Sequence, residues 1–139
     1  MGGYLATFTS DAEWSNVETA LLTDANGFNT NGGWIGFSKF NWQAGSALNP
    51  NPEMKWITGE QPATDYTSGG NSAVRKSNWF ANNEPNNADN NEGFVQVFAK
   101  TNGPSKIVNG YTSNHLWNDA AANNSSQNIS WGFIIEFQQ

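Results

Sequence analysis

Five residues with hard oxygen donors fall in two tight groups. Glu84, Asn86 and Glu92 lie in one Asn-rich stretch, and Asn118 and Asp119 directly follow Trp117 in another. Calcium takes carboxylate and amide oxygens of this kind, about six to eight of them at about 2.3–2.6 Å. Softer metals are disfavoured: the chain has no Cys and a single His, His115, so a tetrahedral zinc site of N and S ligands cannot be assembled from it alone. Glu84 and Glu92 could instead be an acid/base pair for glycoside hydrolysis. Two carboxylates that share a cation are both held ionised, however, and neither can then act as a general acid. A Ser/His/Asp arrangement would need His115 oriented by a carboxylate beside an activated Ser, and no local pattern supports it. The expectation is therefore a binding protein and not an enzyme.

The order of the motifs narrows this further. Glu84-Pro85-Asn86, Glu92 after a short loop and Trp117-Asn118-Asp119 resemble the calcium-and-sugar site of C-type lectin domains. Other landmarks stand in the family's order: Gly2-Gly3-Tyr4-Leu5-Ala6-Thr7, Trp34-Ile35-Gly36-Phe37, Trp56 with Gly59, Asn78-Trp79, and the closing Gly132-Phe133-Ile134-Ile135-Glu136-Phe137. The resemblance covers nearly the whole chain. It implies an α+β fold of small antiparallel sheets, one or two helices and a long calcium-binding loop region. Its metal ligands would be Glu84, Asn86, Glu92, Asn118 and Asp119. Its carbohydrate-binding residues would be Glu84, Asn86, Glu92, Asn118 and His115, the last at the rim of the site or in a structural role. In the family, Glu-Pro-Asn accompanies mannose-, fucose- and glucose-type ligands and a cis Glu-Pro bond; the same fold also serves to bind proteins or ice. A second calcium site is expected to be weak, because Asn87 and Gly93 stand where Asp is common, with Asp89 as partial compensation.

Composition fits a single domain over residues 1–139. Only 37% of residues are apolar, but 7 Trp and 9 Phe bring large buried areas to the core. A net charge of −6 argues against nucleic acid and suits a protein that gathers cations. No apolar run approaches the roughly 20 residues that span a bilayer. Where the resemblance leads one to expect Cys, the chain has Phe94, Ala122 and Ile135, so packing replaces any disulfide. This is the pattern of a bacterial or phage-type version. With the acidity and Asn-rich surface, it suggests a module of a larger extracellular surface adhesin that meets cell-surface glycans. The family's first strand and helix are not found before Met1-Gly2-Gly3, so the last strand is expected to lack its usual neighbour and to leave an exposed edge.

The elements that must hold these residues follow from periodicity. Residues 4–9 read as a strand, and Ser10-Asp11-Ala12-Glu13 as a capping box that starts a helix. Trp14, Val17 and Leu21 make its apolar stripe and Asn26-Gly27 its stop, with a purely structural role for the helix. Strands are expected over 33–37, with Trp34 as a core anchor, and over 54–57. A long loop over 58–91 is pinned by Tyr66, Trp79 and Phe80. In a strand over 93–99, Phe94, Gln96 and Phe98 lie on one face and Val95 and Val97 on the other. A last strand over 131–137 reads as a sheet centre, and Trp117 reads as core rather than as a sugar-stacking ring.

Overall fold

A computed structural model describes residues 2–20, 22, 31–39, 54–59, 79–86, 88–101, 103–108, 110–122 and 132–137. The expectations for Tyr66, Asn26-Gly27, Asn78 and Asn87 lie outside the described residues. Among the described residues the architecture is mixed α+β, with one α-helix and several small sheets. In chain order the described elements are β1 (Gly3–Leu5), α1 (Asp11–Ala20), β2 (Gly33–Lys39), β3 (Met54–Trp56), a 3₁₀ turn (Ala88–Asn90), β4 (Phe94–Val97), β5 (Lys106–Val108), β6 (Tyr111–Ser113), β7 (Trp117–Ala120), β8 (Gly132–Phe133) and β9 (Ile135–Phe137).

The helix starts as its sequence dictates. Ser10 Oγ accepts from Glu13 N at 3.2 Å, while the Glu13 carboxylate reaches back to Thr9 N at 2.8 Å, one residue earlier than a strict capping box. Its described end is Ala20, well before Asn26-Gly27, where Leu22 N donates to Val17 O at 3.2 Å. Trp14 is fully buried, and Val17 packs against the core.

The principal sheet has the order β3-β2-β4-β7, and β8 adds to the same edge of β2 as β3 but in parallel. The strands β2, β3, β4 and β7 pair antiparallel. In the central strand β4, Val95 and Val97 are fully buried on one face; on the other, Phe94 is 42% exposed but Gln96 is fully buried, so burial does not simply alternate. Gly36 is required by close approach, because a Cβ there would lie 2.5 Å from the Leu5 carbonyl oxygen. That approach lets Gly36 N bond to Ala6 O and lashes the chain after β1 onto β2.

An aromatic cluster forms the core. The Trp117 ring lies within 5.4 to 6.3 Å of Trp14, Phe80, Trp56, Phe37 and Phe8, mostly edge to face or tilted. Such pairs add about 0.5–1.5 kcal/mol each beyond their buried area. Trp117 is thus a core residue, as its sequence context implies. Trp34 is not: it is only half-buried and lines a shallow groove with Leu5, Ile35, Phe94, Ala122 and Phe133, whereas Ile35 and Phe37 supply the buried side of β2. Phe94 and Ala122, two of the Cys-replacing residues, share this groove.

The C-terminal apolar run behaves differently from a sheet centre. It splits into β8, on the principal sheet, and β9, which pairs antiparallel with β1 in the register Gly3↔Phe137, Tyr4↔Glu136, Leu5↔Ile135. The last strand therefore has a neighbour. Phe133, Ile135 and Phe137 nonetheless stay largely exposed, because neither short pairing brings a second layer over them among the described residues.

Candidate functional site

Two segments converge on the predicted site residues, and burial of their aromatic side chains explains why. In the first, Trp79 and Phe80 are each 2% exposed, while Asn82 and Asn83 just beyond them are exposed. The second is β7, in which Trp117 is buried. Trp117 N donates to Trp79 O at 2.7 Å and Ala81 N donates to Trp117 O at 2.9 Å, so the segments run side by side where both are apolar. Beyond that point the first segment turns back: Glu84 N donates to Ala81 O at 3.0 Å, and Asn83 takes φ 71°, a left-handed conformation that Asn tolerates. The Glu84-Pro85 bond is cis.

The turn delivers Glu84 and Asn86 to Asp119. Asn86 N donates both to Asp119 Oδ1 at 2.9 Å and to Glu84 Oε2 at 3.1 Å, and Asn86 Nδ2 donates to Glu84 Oε1 at 3.0 Å. Asp119 is fully buried and Glu84 half-buried. Glu92 is half-buried and closes the 3₁₀ turn, accepting from Ala88 N at 2.6 Å. Burial raises the Glu84 carboxyl to about 7, helped by the charge and hydrogen bond of Asp119 and by the charge of Glu92. A carboxyl–carboxylate hydrogen bond exists only while one partner keeps a proton. The cluster thus holds more negative charge than its surroundings compensate, and a divalent cation would relieve that excess.

These residues fit calcium by the chemistry of their donors, since all are carboxylate or amide oxygens. Glu84, Asn86 and Asp119 would hold the ion, with Glu92 close enough to act on Glu84 electrostatically. Asn118 precedes Asp119 in β7, half-buried, and pairs in register with Gln96. Among the described residues no three His, Asp or Glu side chains already converge as a ready-made metal cage. Asp89, the candidate for a second site, is exposed in left-handed geometry (φ 54°).

His115 departs from a rim position. It is 3% exposed, with ring Nδ1 3.4 Å from Glu18 Oε1, so it presents no donor to a ligand at the surface. The physical reason is Glu18, a carboxylate on the apolar side of α1. Its Oε1 accepts from Ser113 Oγ at 2.8 Å, Asn114 N at 2.9 Å and His115 N at 3.0 Å, and its Oε2 accepts from Tyr111 OH at 3.0 Å. Burial by itself would raise Glu18, but the His115 ring beside it, followed by the Asn114 N–H, the Ser113 hydroxyl and the His115 N–H, holds it below the usual carboxylate range. Ser113, His115 and Glu18 do stand together, yet the Ser hydroxyl donates to Glu18 and all three are buried, so the trio has no nucleophile facing a substrate.

Sequence reasoning missed Glu18, although its position four residues after Trp14 places a carboxylate on the apolar stripe. It also missed the β5–β6 hairpin, which Asn109-Gly110 signals between two β-rich runs; Gly110 takes φ 86°. No helix among the described residues is long and apolar enough to cross a membrane. Neither a family model nor a curated protein matches this chain.

Proposed function

We propose that this protein is a calcium-dependent carbohydrate-binding module with a C-type lectin-like fold. On this reading it takes mannose-, fucose- or glucose-type glycans through neighbouring hydroxyls and serves adhesion at a cell surface. The observation that carries the reading is the meeting of two distant segments at the Glu84–Asn86–Asp119 contact, where oxygen donors crowd until Glu84 is raised to about 7. Calcium, when bound, supplies coordination to sugar hydroxyls. The chain's own part is to sort them: the Glu84 carboxylate accepts from one hydroxyl, and the Asn86 amide donates to its neighbour.

Calcium should stabilise the fold, because it joins two segments and binds only the folded chain. With a dissociation constant of about 10⁻⁴–10⁻³ M, about 10 mM calcium adds about 1.4–2.7 kcal/mol. For a domain of this size that is a rise of about 3–10 °C in melting temperature. The pH dependence has a definite sign. Glu84 is raised in the folded state, so the metal-free protein binds its proton more tightly than the unfolded chain does, and it loses stability as pH rises from 4.5 through about 7. Calcium should flatten that fall. Melting curves across this range with calcium and with EDTA check both; identical curves would refute a cation at this site.

Specificity provides the direct test. Glu84→Gln with Asn86→Asp exchanges acceptor and donor while conserving charge. On a glycan array with and without EDTA, the natural protein should bind mannose or fucose glycans only with calcium and galactose far less. The double variant should keep calcium and shift toward galactose-type ligands. Affinity for a single sugar should be weak, about millimolar or about −4 kcal/mol, so the array must present the sugars multivalently. An unchanged sugar profile in the double variant, or binding that ignores EDTA, would defeat the assignment and favour a protein or ice ligand on the same fold.

A further inference from the structure

Helix α1 contacts both segments that form the site, through three residues spaced along one side. Asp11 Oδ1 accepts from the Trp79 indole N–H at the start of the first segment. One turn on, the Trp14 ring packs edge to face against both Trp79, at 6.1 Å, and Trp117, at 5.4 Å. One further turn on, Glu18 gathers four donors from residues 111–115, the stretch that leads into β7. Asp11 and Glu18 are seven residues apart, about 10 Å along the helix axis. The two carboxylates thus grip different segments, and the ring between them touches both.

We infer that α1 is the baseplate of the site, with Asp11 and Glu18 as positioning residues that set the approach of Glu84 and Asn86 to Asp119. The inference rests on the calcium-binding reading for its functional consequence but not for its geometry. The Glu18 grip is well suited to the task. Residues 113–115 supply one hydroxyl and two backbone N–H groups that would otherwise be buried without acceptors, and a single carboxylate on a rigid helix satisfies all three. Asp119 lies four residues beyond His115; Leu116 O accepts from Phe98 N and from Trp117 onward the chain pairs with β4, so a shift of 113–115 has only a short segment in which to dissipate. On the other side, Trp79 is fixed by Asp11 and by its backbone bond to Trp117, and the chain needs only seven more residues to reach Asn86. Neither Asp11 nor Glu18 is itself proposed to touch the cation or the sugar.

The test compares Glu18→Gln and Asp11→Ala with the natural protein by two readouts. The first needs no metal: amide hydrogen exchange at Asn86, whose N–H donates to Asp119, against the amides of β4 as an internal reference. Each variant should exchange faster at Asn86, by about two- to tenfold, with β4 unchanged. Acceleration throughout, β4 included, would show general structural support only and would overturn the inference, as would an unmoved Asn86 amide. The second readout is calcium affinity well below the melting temperature, expected to weaken by about 10–100-fold in Glu18→Gln, as for partners that orient a metal ligand. A natural protein that ignores calcium would refute the calcium reading alone, since the exchange result still decides the positioning claim. Should Glu18→Gln fail to fold, Tyr111→Phe removes one donor from the same grip, and the same selective change at Asn86 is expected, nearer twofold.

Discussion

Asp119→Ala is expected to abolish calcium binding and glycan binding together while leaving the protein folded. Asp119 is the point at which the two segments meet, and its Oδ1 receives the Asn86 N–H. Residues that merely orient a metal ligand are worth about 10–100-fold in affinity, so loss of a direct ligand should exceed about 100-fold. The fold should survive because two effects oppose one another. Removing the carboxylate takes away one of two acceptors of the Asn86 N–H, which Glu84 Oε2 still satisfies, a loss of about 0.5–1.5 kcal/mol, but it also removes the neighbour that helps to raise Glu84. Isothermal titration with calcium, circular dichroism and the glycan array together check the outcome. A folded Asp119→Ala protein that still binds glycan would place the sugar site elsewhere, and Asp119→Asn, which keeps the shape without the charge, separates charge from packing.

Trp117→Ala is expected to have the largest effect on stability. The ring is 1% exposed and meets Phe8, Trp14, Phe37, Trp56 and Phe80. Large-to-small changes of an aromatic core residue cost about 3–5 kcal/mol, against a total of about 5–15 kcal/mol for a typical domain. The variant should lose most of its cooperative unfolding transition in urea and its near-ultraviolet dichroism. Trp34→Ala, at a half-buried groove position, should cost clearly less. Equal costs at the two positions would mean that the cluster around Trp117 is not the core. Because Trp117 also bonds through its backbone to Trp79 and Ala81, its loss should remove calcium binding as well, but only alongside the fold.

Several features were set by local sequence alone, because they depend on neighbours along the chain. Ser10 and Glu13 start the helix through side chain-to-backbone bonds within four residues. The alternation in β4 puts Val95 and Val97 on one face whatever they meet there. The oxygen-rich stretches 84–92 and 118–119 were visible as a donor set because hard-ligand chemistry depends on residue type. What only the tertiary structure decided is which faces are covered and which stretches meet. Trp34 and the C-terminal run read as core from composition, yet period-two alternation cannot say which side of a strand receives a second layer. Phe133, Ile135 and Phe137 remain on the outside. His115 read as either a rim or a structural residue because it sits four residues before Asp119 in sequence, and sequence could not choose between the two. It is buried because Glu18, 97 residues away, holds its backbone. The same helix grips residues 68 and 93 to 97 positions distant, and no local pattern encodes partners at such separations. They are fixed only when the aromatic core closes and brings the Trp79 indole N–H to Asp11 and the donors of residues 111–115 to Glu18.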